Sequence, residues 1–112
     1  MKDRNGKITV DGFYDDVIDL TVEERNQIEK IPFDEDEYPK SVGAPEAFSE
    51  EGYTVAESRW ARPTLELNGI WGGYQGKGTK TVLPSEASAK VTCRLVANQK
   101  PGKIYTLLKS HI

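Results

Sequence analysis

The sequence predicts an α+β fold, a two-layer sandwich in which an antiparallel sheet carries helices on one face. Two segments, Thr64–Asn68 and Glu86–Val96, alternate apolar and polar residues with the period of a strand. A third segment, Pro101–Ile112, has its apolar residues at helical spacing. The resulting order, strand, helical insert, strand, strand, helix, favours an antiparallel sheet packed against helices.

The length of 112 residues is that of a single domain with one modest core. We divide the predicted domain into three parts: a strand region over residues 1–17, a helical insert over residues 18–62 and a strand–strand–helix region over residues 63–112. In the first part, Lys7–Val10 alternates and predicts a strand with Ile8 and Val10 on one face.

The helical insert carries start and stop signals for two helices. Thr21 and Glu24 have the spacing of a capping box, in which each side chain satisfies a free backbone N–H of the other residue. Pro32 ends this helix because proline has no N–H to donate. A second helix is predicted from about Tyr53 to Ala61, before Pro63. Between the two helices, recurring Pro and Gly residues allow only short helical turns.

The pattern of the last part predicts two strands joined by a glycine-rich loop and then a helix, whose first turn can contain Pro101. In the first strand, Leu65 and Leu67 share one face. The second strand places apolar residues on one face and mostly polar ones on the other, namely Ala87, Ala89, Val91, Cys93 and Leu95 against Ser88, Lys90, Thr92, Arg94 and Val96. So few strands make a thin core, which predicts that elements are missing or that a partner completes the fold.

The composition excludes several classes of function. With 15 Lys and Arg against 18 Asp and Glu, the net charge of −3 argues against a general nucleic-acid binder. One Cys and one His exclude an internal disulfide and a closed His/Cys zinc site, and a catalytic triad would need His111. No segment suits a membrane span or a secretory signal, so we expect a cytoplasmic protein.

Three local features do not support a binding or catalytic site. Gly76-Lys77 is followed by Gly78 rather than by Ser or Thr, so the phosphate-binding loop motif fails. The acidic run Asp34–Glu37 lacks the alternating ligands of a calcium loop and is typical of a solvated surface. Cys93 alternates with apolar residues, which favours a place in the core.

Three polar residues of the last part are candidate binding residues. Arg94 lies on the polar face of the second strand, and its planar fork suits a carboxylate, although a surface ion pair would explain it equally. Thr81, after the glycine loop, and Asn68, on the polar face of the first strand, are predicted to lie on the same side and to donate to an anion or carbonyl oxygen. The alternative is that both satisfy backbone groups of turns and edges.

Three segments in the right order carry a resemblance to a known family. They read WARPTLELNGIWGGY over Trp60–Tyr74, GTKTVLP over Gly78–Pro84 and AKVTCRLV over Ala89–Val96. They resemble the inserted lid or dimerisation domain of the two-metal zinc peptidases, metallopeptidase family 20. The family includes carnosinase-like dipeptidases, aminoacylases, acetylornithine deacetylase and succinyl-diaminopimelate desuccinylase. Gly12–Val17 resembles the dipeptidase branch, and the match covers nearly the whole chain.

The resemblance implies a role for two of the three candidate residues. Arg94 falls on the Arg that holds the substrate carboxylate, and Thr81 falls on the Thr that reaches the neighbouring subunit's site. It implies a ferredoxin-like lid, truncated at both ends, that forms a homodimer and packs with the catalytic domain of its parent polypeptide. The family's lid His and its metal-binding motifs have no counterpart here, so this chain should hold no cofactor, whereas the parent enzyme's catalytic domain would hold two zinc or other divalent ions.

Two functions of different classes follow. The first is the dimerisation and substrate-carboxylate-binding lid of a zinc metallopeptidase that cleaves dipeptides or N-acyl amino acids, with no hydrolytic activity in this chain alone. The second is a free-standing module that binds a peptide or a copy of itself along an open sheet edge. A small-anion binder that uses Arg94 and the glycine loop is a further alternative.

Overall fold

The computed structural model describes residues 1–112, which form two compact units. The first contains Met1–Pro63 and Leu95–Ile112, and the second contains Thr64–Arg94. The elements are α1 (Val22–Glu29), α2 (Glu37–Ser41), α3 (Val55–Trp60), β1 (Thr64–Gly72), β2 (Ala87–Arg94) and α4 (Pro101–His111). The α+β class and the antiparallel sheet, here of two strands, are confirmed.

The core of the first unit draws on both ends of its sequence. Its buried apolar residues are Ile8, Val10, Phe13, Val55, Ala56 and Ile104. Phe13 is the largest fully buried side chain, with 1% of its surface exposed. The buried amide of Gln99 joins the two ends, because Nε2 donates to the Phe13 carbonyl oxygen at 2.8 Å while Oε1 accepts from the Val96 backbone N–H at 3.1 Å. This satisfies the amide's donor and acceptor inside the protein.

The predicted strand at Lys7–Val10 is wrong, although Ile8 and Val10 are buried as expected. The segment forms only one isolated bridge, between Lys2 and Ile8. The Asp3 carboxylate accepts the backbone N–H groups of Asn5 and Lys7, and Gly6 has a φ of 78°, so the chain turns back on itself here. Successive turns then follow over residues 11–16, and the segment has no neighbouring strand to extend a ladder.

Two capping boxes begin the main helices of the insert. The predicted box of α1 is confirmed: Thr21 accepts from the Glu24 backbone N–H, and the Glu24 carboxylate accepts from the Thr21 backbone N–H at 2.8 Å. Thr54 and Glu57 form the same arrangement at the start of α3. None of the four helices has the length and apolar character that a membrane span requires.

The second unit is the hairpin of β1 and β2, which pairs Thr64 with Arg94 at its open end and Gly72 with Ala87 at its loop end. β1 runs four residues beyond the Asn68 predicted as its end, because the register shifts between Leu67 and Gly69 and pairing then resumes. Asn68 is thus the extra residue of a β-bulge, a feature that alternation along one strand does not reveal.

Candidate functional site

The polar face of the hairpin carries two of the three candidate residues. Thr64 lies opposite Arg94 and Glu66 opposite Thr92, so both strands present polar side chains in one region. The bulge brings Asn68 against the same ladder, where the Thr92 hydroxyl donates to Asn68 Oδ1 at 2.6 Å. Thr92 lies two residues before Arg94 on the same face of β2, so Asn68 contacts the polar face that also carries Arg94.

Arg94 is the last residue of β2 and is exposed. Its backbone N–H donates to Thr64 Oγ1 at 3.4 Å, in addition to the strand register that pairs the two residues. The guanidinium therefore projects from backbone that a partner strand holds. A regular strand is a firmer support for a binding group than a loop, which favours recognition of a planar anion such as a carboxylate.

Thr81 lies elsewhere, in the exposed loop over residues 73–86 at the other end of the hairpin. Seven residue steps separate Ala87 from Arg94, so β2 spans about 23 Å between the loop end and the open end. Thr81 forms no hydrogen bond to Asn68 or Arg94. The hairpin therefore places Arg94 at its open end and Asn68 at the bulge between the Leu67–Val91 and Gly69–Lys90 pairs, with Thr81 in the loop at the opposite end.

The loop carries its own cleft of about 530 Å³, whose lining includes Trp71, Tyr74 and Lys80. The Lys80 ammonium lies 5.6 Å from the centre of the Tyr74 ring, and the Tyr74 hydroxyl donates to the Lys77 carbonyl oxygen at 3.2 Å. Gly73 and Gly78 have φ values of 71° and 85°, a conformation that residues with a Cβ rarely adopt. These contacts shape the loop that presents Thr81.

No group of three or more His, Cys, Asp or Glu side chains is placed to hold a metal ion. His111 is the last residue of α4, while Cys93 lies half-buried in β2 opposite Leu65. The two residues that could have supplied soft ligands therefore sit in separate units. The residues present do not fit a metal centre.

Sequence reasoning missed a buried charged cluster around Arg62. The Arg62 side chain is 8% exposed and forms two hydrogen bonds of 2.9 Å to the Glu50 carboxylate and one of 3.3 Å to Asp19. Its guanidinium carbon also lies 4.1 Å from the centre of the Tyr53 ring and 5.2 Å from that of Tyr14. The partners are up to 48 residues away in sequence, so spacing alone could not have found the cluster.

Burial and neighbouring charges shift the pKa values of the ionisable groups in this cluster. Desolvation raises the pKa of Tyr14 and of Tyr53, which keeps both hydroxyls neutral. Burial by itself lowers the pKa of Arg62, but its hydrogen bonds to Glu50 and that residue's negative charge outweigh burial and raise it. The cluster is thus a charged, hydrogen-bonded support within the first unit.

Comparison with known proteins identifies the domain. The family model described as the peptidase dimerisation domain matches residues 5–112. The chain belongs to the peptidase dimerisation domain family. The resemblance read from the three motif segments is thereby confirmed.

Relatives of this dimerisation domain are dipeptidases. The Beta-Ala-His dipeptidase of Rattus norvegicus is 33% identical over 112 residues, which is 100% of this chain and 23% of the relative. The Cys-Gly metallodipeptidase of Schizosaccharomyces pombe is 32% identical over 108 residues, 96% of this chain and 23% of the relative. The chain thus spans about a quarter of the length of these curated relatives.

Solved structures of similar proteins contain a region with the same fold as this dimerisation domain. An M20 family metallo-carboxypeptidase from Sulfolobus solfataricus superposes with a TM-score of 0.82 at 44% identity, covering 98% of this chain and 29% of that structure. Human carnosine dipeptidase 1 also gives a TM-score of 0.82, at 32% identity, over 99% of this chain and 24% of that structure.

Proposed function

We propose that this dimerisation domain is the substrate-carboxylate-binding lid of a longer, metal-dependent cytoplasmic peptidase that hydrolyses dipeptides or N-acyl amino acids. The names of the relatives, dipeptidases and a carboxypeptidase, support amide substrates with a free carboxylate. The divalent metals, zinc in this proposal, would belong to a catalytic domain outside these residues, so the 112-residue chain alone would not hydrolyse substrate.

In this proposal, Arg94 binds the substrate carboxylate and Asn68 donates to the same substrate. A fixed guanidinium fork holds a carboxylate by two parallel hydrogen bonds, which places the scissile amide where the catalytic domain can attack it. The Thr92 hydrogen bond orients the Asn68 amide so that its NH2 remains as a donor.

The observation that carries the proposal is the separation of Thr81 from Arg94 along the hairpin. A single chain that presents these residues at opposite ends is suited to a site completed across a homodimer. Arg94 would then serve one site, and Thr81 of the same chain would serve the site of its partner. The dimerisation domain would join the two subunits and also supply both sites.

Mixing two inactive variants tests this arrangement in the full-length polypeptide that carries the domain. Arg94→Ala and Thr81→Ala are each expected to lower kcat/KM on a free-carboxylate dipeptide by 10-fold or more, as loss of a charge-assisted or oriented contact does. A mixed dimer would contain one site with both residues intact. We therefore expect activity to reappear when the two variants are mixed and allowed to exchange subunits.

The control is a polypeptide with both substitutions, mixed with Arg94→Ala in the same way, which can form no intact site. Unchanged kcat/KM in Arg94→Ala would overturn the carboxylate role. Two impaired variants that never recover on mixing, despite confirmed subunit exchange, would show that both residues serve the same site or act elsewhere.

The open edges of the hairpin support a second candidate, a free-standing self-association module. Each strand has one paired edge only, and Ile70 and Leu83 are 72% and 94% exposed. Sedimentation equilibrium of the 112-residue chain tests it: Ile70→Lys should weaken self-association, whereas Val42→Lys, at a 59% exposed position of the other unit, should not. A monomeric wild-type chain would exclude this candidate.

A further inference from the structure

The first unit contains an apolar groove between α1 and α3 that the proposed function does not use. Its volume is about 460 Å³, within the range of ligand-binding clefts. Its apolar lining comes from Ile28, Ile31, Phe33 and Ala56. α1 has no buried residue of its own, and Ile31 is 46% exposed. The groove is thus bordered by a helix that has no fully buried apolar side chain, and its Ile28 is half-buried.

Two carboxylates of the groove lack a cationic partner. Arg25 donates to both oxygens of Glu57 at 3.0 Å, so the only basic residue of the lining is neutralised inside the groove. Glu35 accepts the Val55 backbone N–H at 3.2 Å, but neither Glu35 nor Glu29 forms an ion pair. The groove therefore combines apolar contacts with two uncompensated negative charges.

The negative charge continues along the chain beyond the groove. Residues 19–37 contain eight Asp or Glu and two Lys or Arg, a net charge of −6, whereas the whole chain carries −3. We call residues 19–37 the acidic strip; it contains α1 and the segment that follows it. Two copies of the chain would repel each other if they met through this strip, because like charges would face like charges.

We propose that the groove between α1 and α3 binds a basic amphipathic helix of a separate partner protein. Aliphatic side chains of that helix would contact Ile28, Ile31 and Phe33, as in other helix-in-groove complexes. Its Lys or Arg residues would pair with Glu29 and Glu35 and with the acidic strip. The charges would speed association and select against acidic partners, while the apolar contacts would supply most of the affinity.

A fluorescently labelled 18-residue peptide with Leu and Lys at helical spacing tests the proposal by titration with the 112-residue chain. We expect saturable binding that weakens as salt rises, and no binding of the matched peptide with Glu in place of Lys. The double variant Glu29→Gln, Glu35→Gln should raise Kd at least 10-fold, and Ile31→Ser should do the same. Gln keeps the oxygen that accepts from Val55, so the loop contact is retained.

The matched control combines Glu46→Gln and Val42→Ser, two exposed positions outside the groove lining, and should leave Kd unchanged. Circular dichroism checks that each variant is folded. Equal binding of the Leu/Glu peptide, or an unchanged Kd in the groove variants, would overturn the proposal. So would binding to the 112-residue chain but not to a longer polypeptide containing it, because the groove would then be filled from within that polypeptide.

Discussion

At the scale of single residues, the Arg62 cluster shows how the first unit tolerates a buried charge. A guanidinium that loses water needs its donors satisfied, and here a bidentate carboxylate, a second carboxylate and two aromatic rings surround it. Removing the cation would leave the Glu50 carboxylate, whose side chain is 12% exposed, without its counter-charge. The cost of breaking such a pair exceeds the net benefit of forming it.

Arg62→Met is therefore expected to lower the free energy of unfolding by about 3 kcal/mol. Arg59→Met is the matched control, because Arg59 is exposed and only stacks over Phe33 and Tyr38, an interaction that contributes about 0.5–1 kcal/mol. Urea unfolding followed by circular dichroism measures both. Similar losses in the two variants would contradict the assigned role of the cluster.

At the scale of elements, the hairpin depends on close approach at its loop end. A Cβ added to Gly72 would lie 3.1 Å from Ala87 Cα and 3.2 Å from both Ala87 Cβ and the Glu86 carbonyl oxygen. The neighbours are mostly backbone, which cannot move without disturbing the pairing of Gly72 with Ala87. A Cβ at Gly69 would meet its nearest neighbour, the Trp71 ring, at an ordinary 3.7 Å.

Gly72→Ala should consequently weaken the hairpin by about 1–3 kcal/mol, and Gly69→Ala should weaken it less. Amide hydrogen exchange of the residues paired between β1 and β2 is the suitable measurement, since it reports local opening. We expect exchange at least about 10-fold faster in Gly72→Ala than in Gly69→Ala. Slower amide exchange in Gly72→Ala than in Gly69→Ala would show that the loop end of the hairpin is not tightly packed.

The capping box of α1 makes the stability of that helix depend on pH. Hydrogen bonds from the Thr21 backbone and hydroxyl lower the pKa of Glu24. A carboxyl whose pKa is lower in the folded state stabilises the fold above its unfolded pKa, and this contribution is lost as the pH falls through the folded value. Glu24→Gln should therefore reduce the urea midpoint at pH 7 but change it little at pH 2. If Glu24→Gln lowered the urea midpoint equally at pH 7 and pH 2, relative to the unsubstituted chain, this prediction would be refuted.

At the scale of the whole molecule, the two ends of the chain build one unit through contacts between residues far apart in sequence. Gln99 bonds to Phe13, 86 residues away, and Asn98 Nδ2 donates to the Asp16 carbonyl oxygen at 3.0 Å. Lys103 adds an ion pair with Asp16 at 2.8 Å, which raises the pKa of the lysine. These contacts attach the start of α4 to the turns that follow Val10.

Gln99→Leu should lower the free energy of unfolding by about 2–3 kcal/mol, because the buried Phe13 carbonyl oxygen and Val96 N–H would both lose their partner. Gln99→Glu is a useful companion variant. It keeps an acceptor for Val96 but no donor for Phe13, and it buries a charge, so it should be at least as destabilising. Urea unfolding checks both variants, and a loss below about 0.5 kcal/mol for Leu would contradict the role of Gln99.

Features that depend on near neighbours in the chain could be predicted from the sequence alone. The Thr21 capping box, the strand alternation up to Arg94 and the Pro101 helix start could be predicted because each depends on residues a few positions apart. The family also followed from three short motif segments.

Contacts between residues far apart in the chain depend on its three-dimensional packing, which local patterns do not reveal. Alternation at Lys7–Val10 predicted a strand, but no neighbouring strand is available to pair with it, and turns take its place. The bulge at Asn68, the Arg62 cluster and the groove beside α1 likewise depend on register and packing across the chain. The positions of Arg94 and Thr81 at opposite ends of the hairpin follow from the same cause, because strand length and loop placement set that distance.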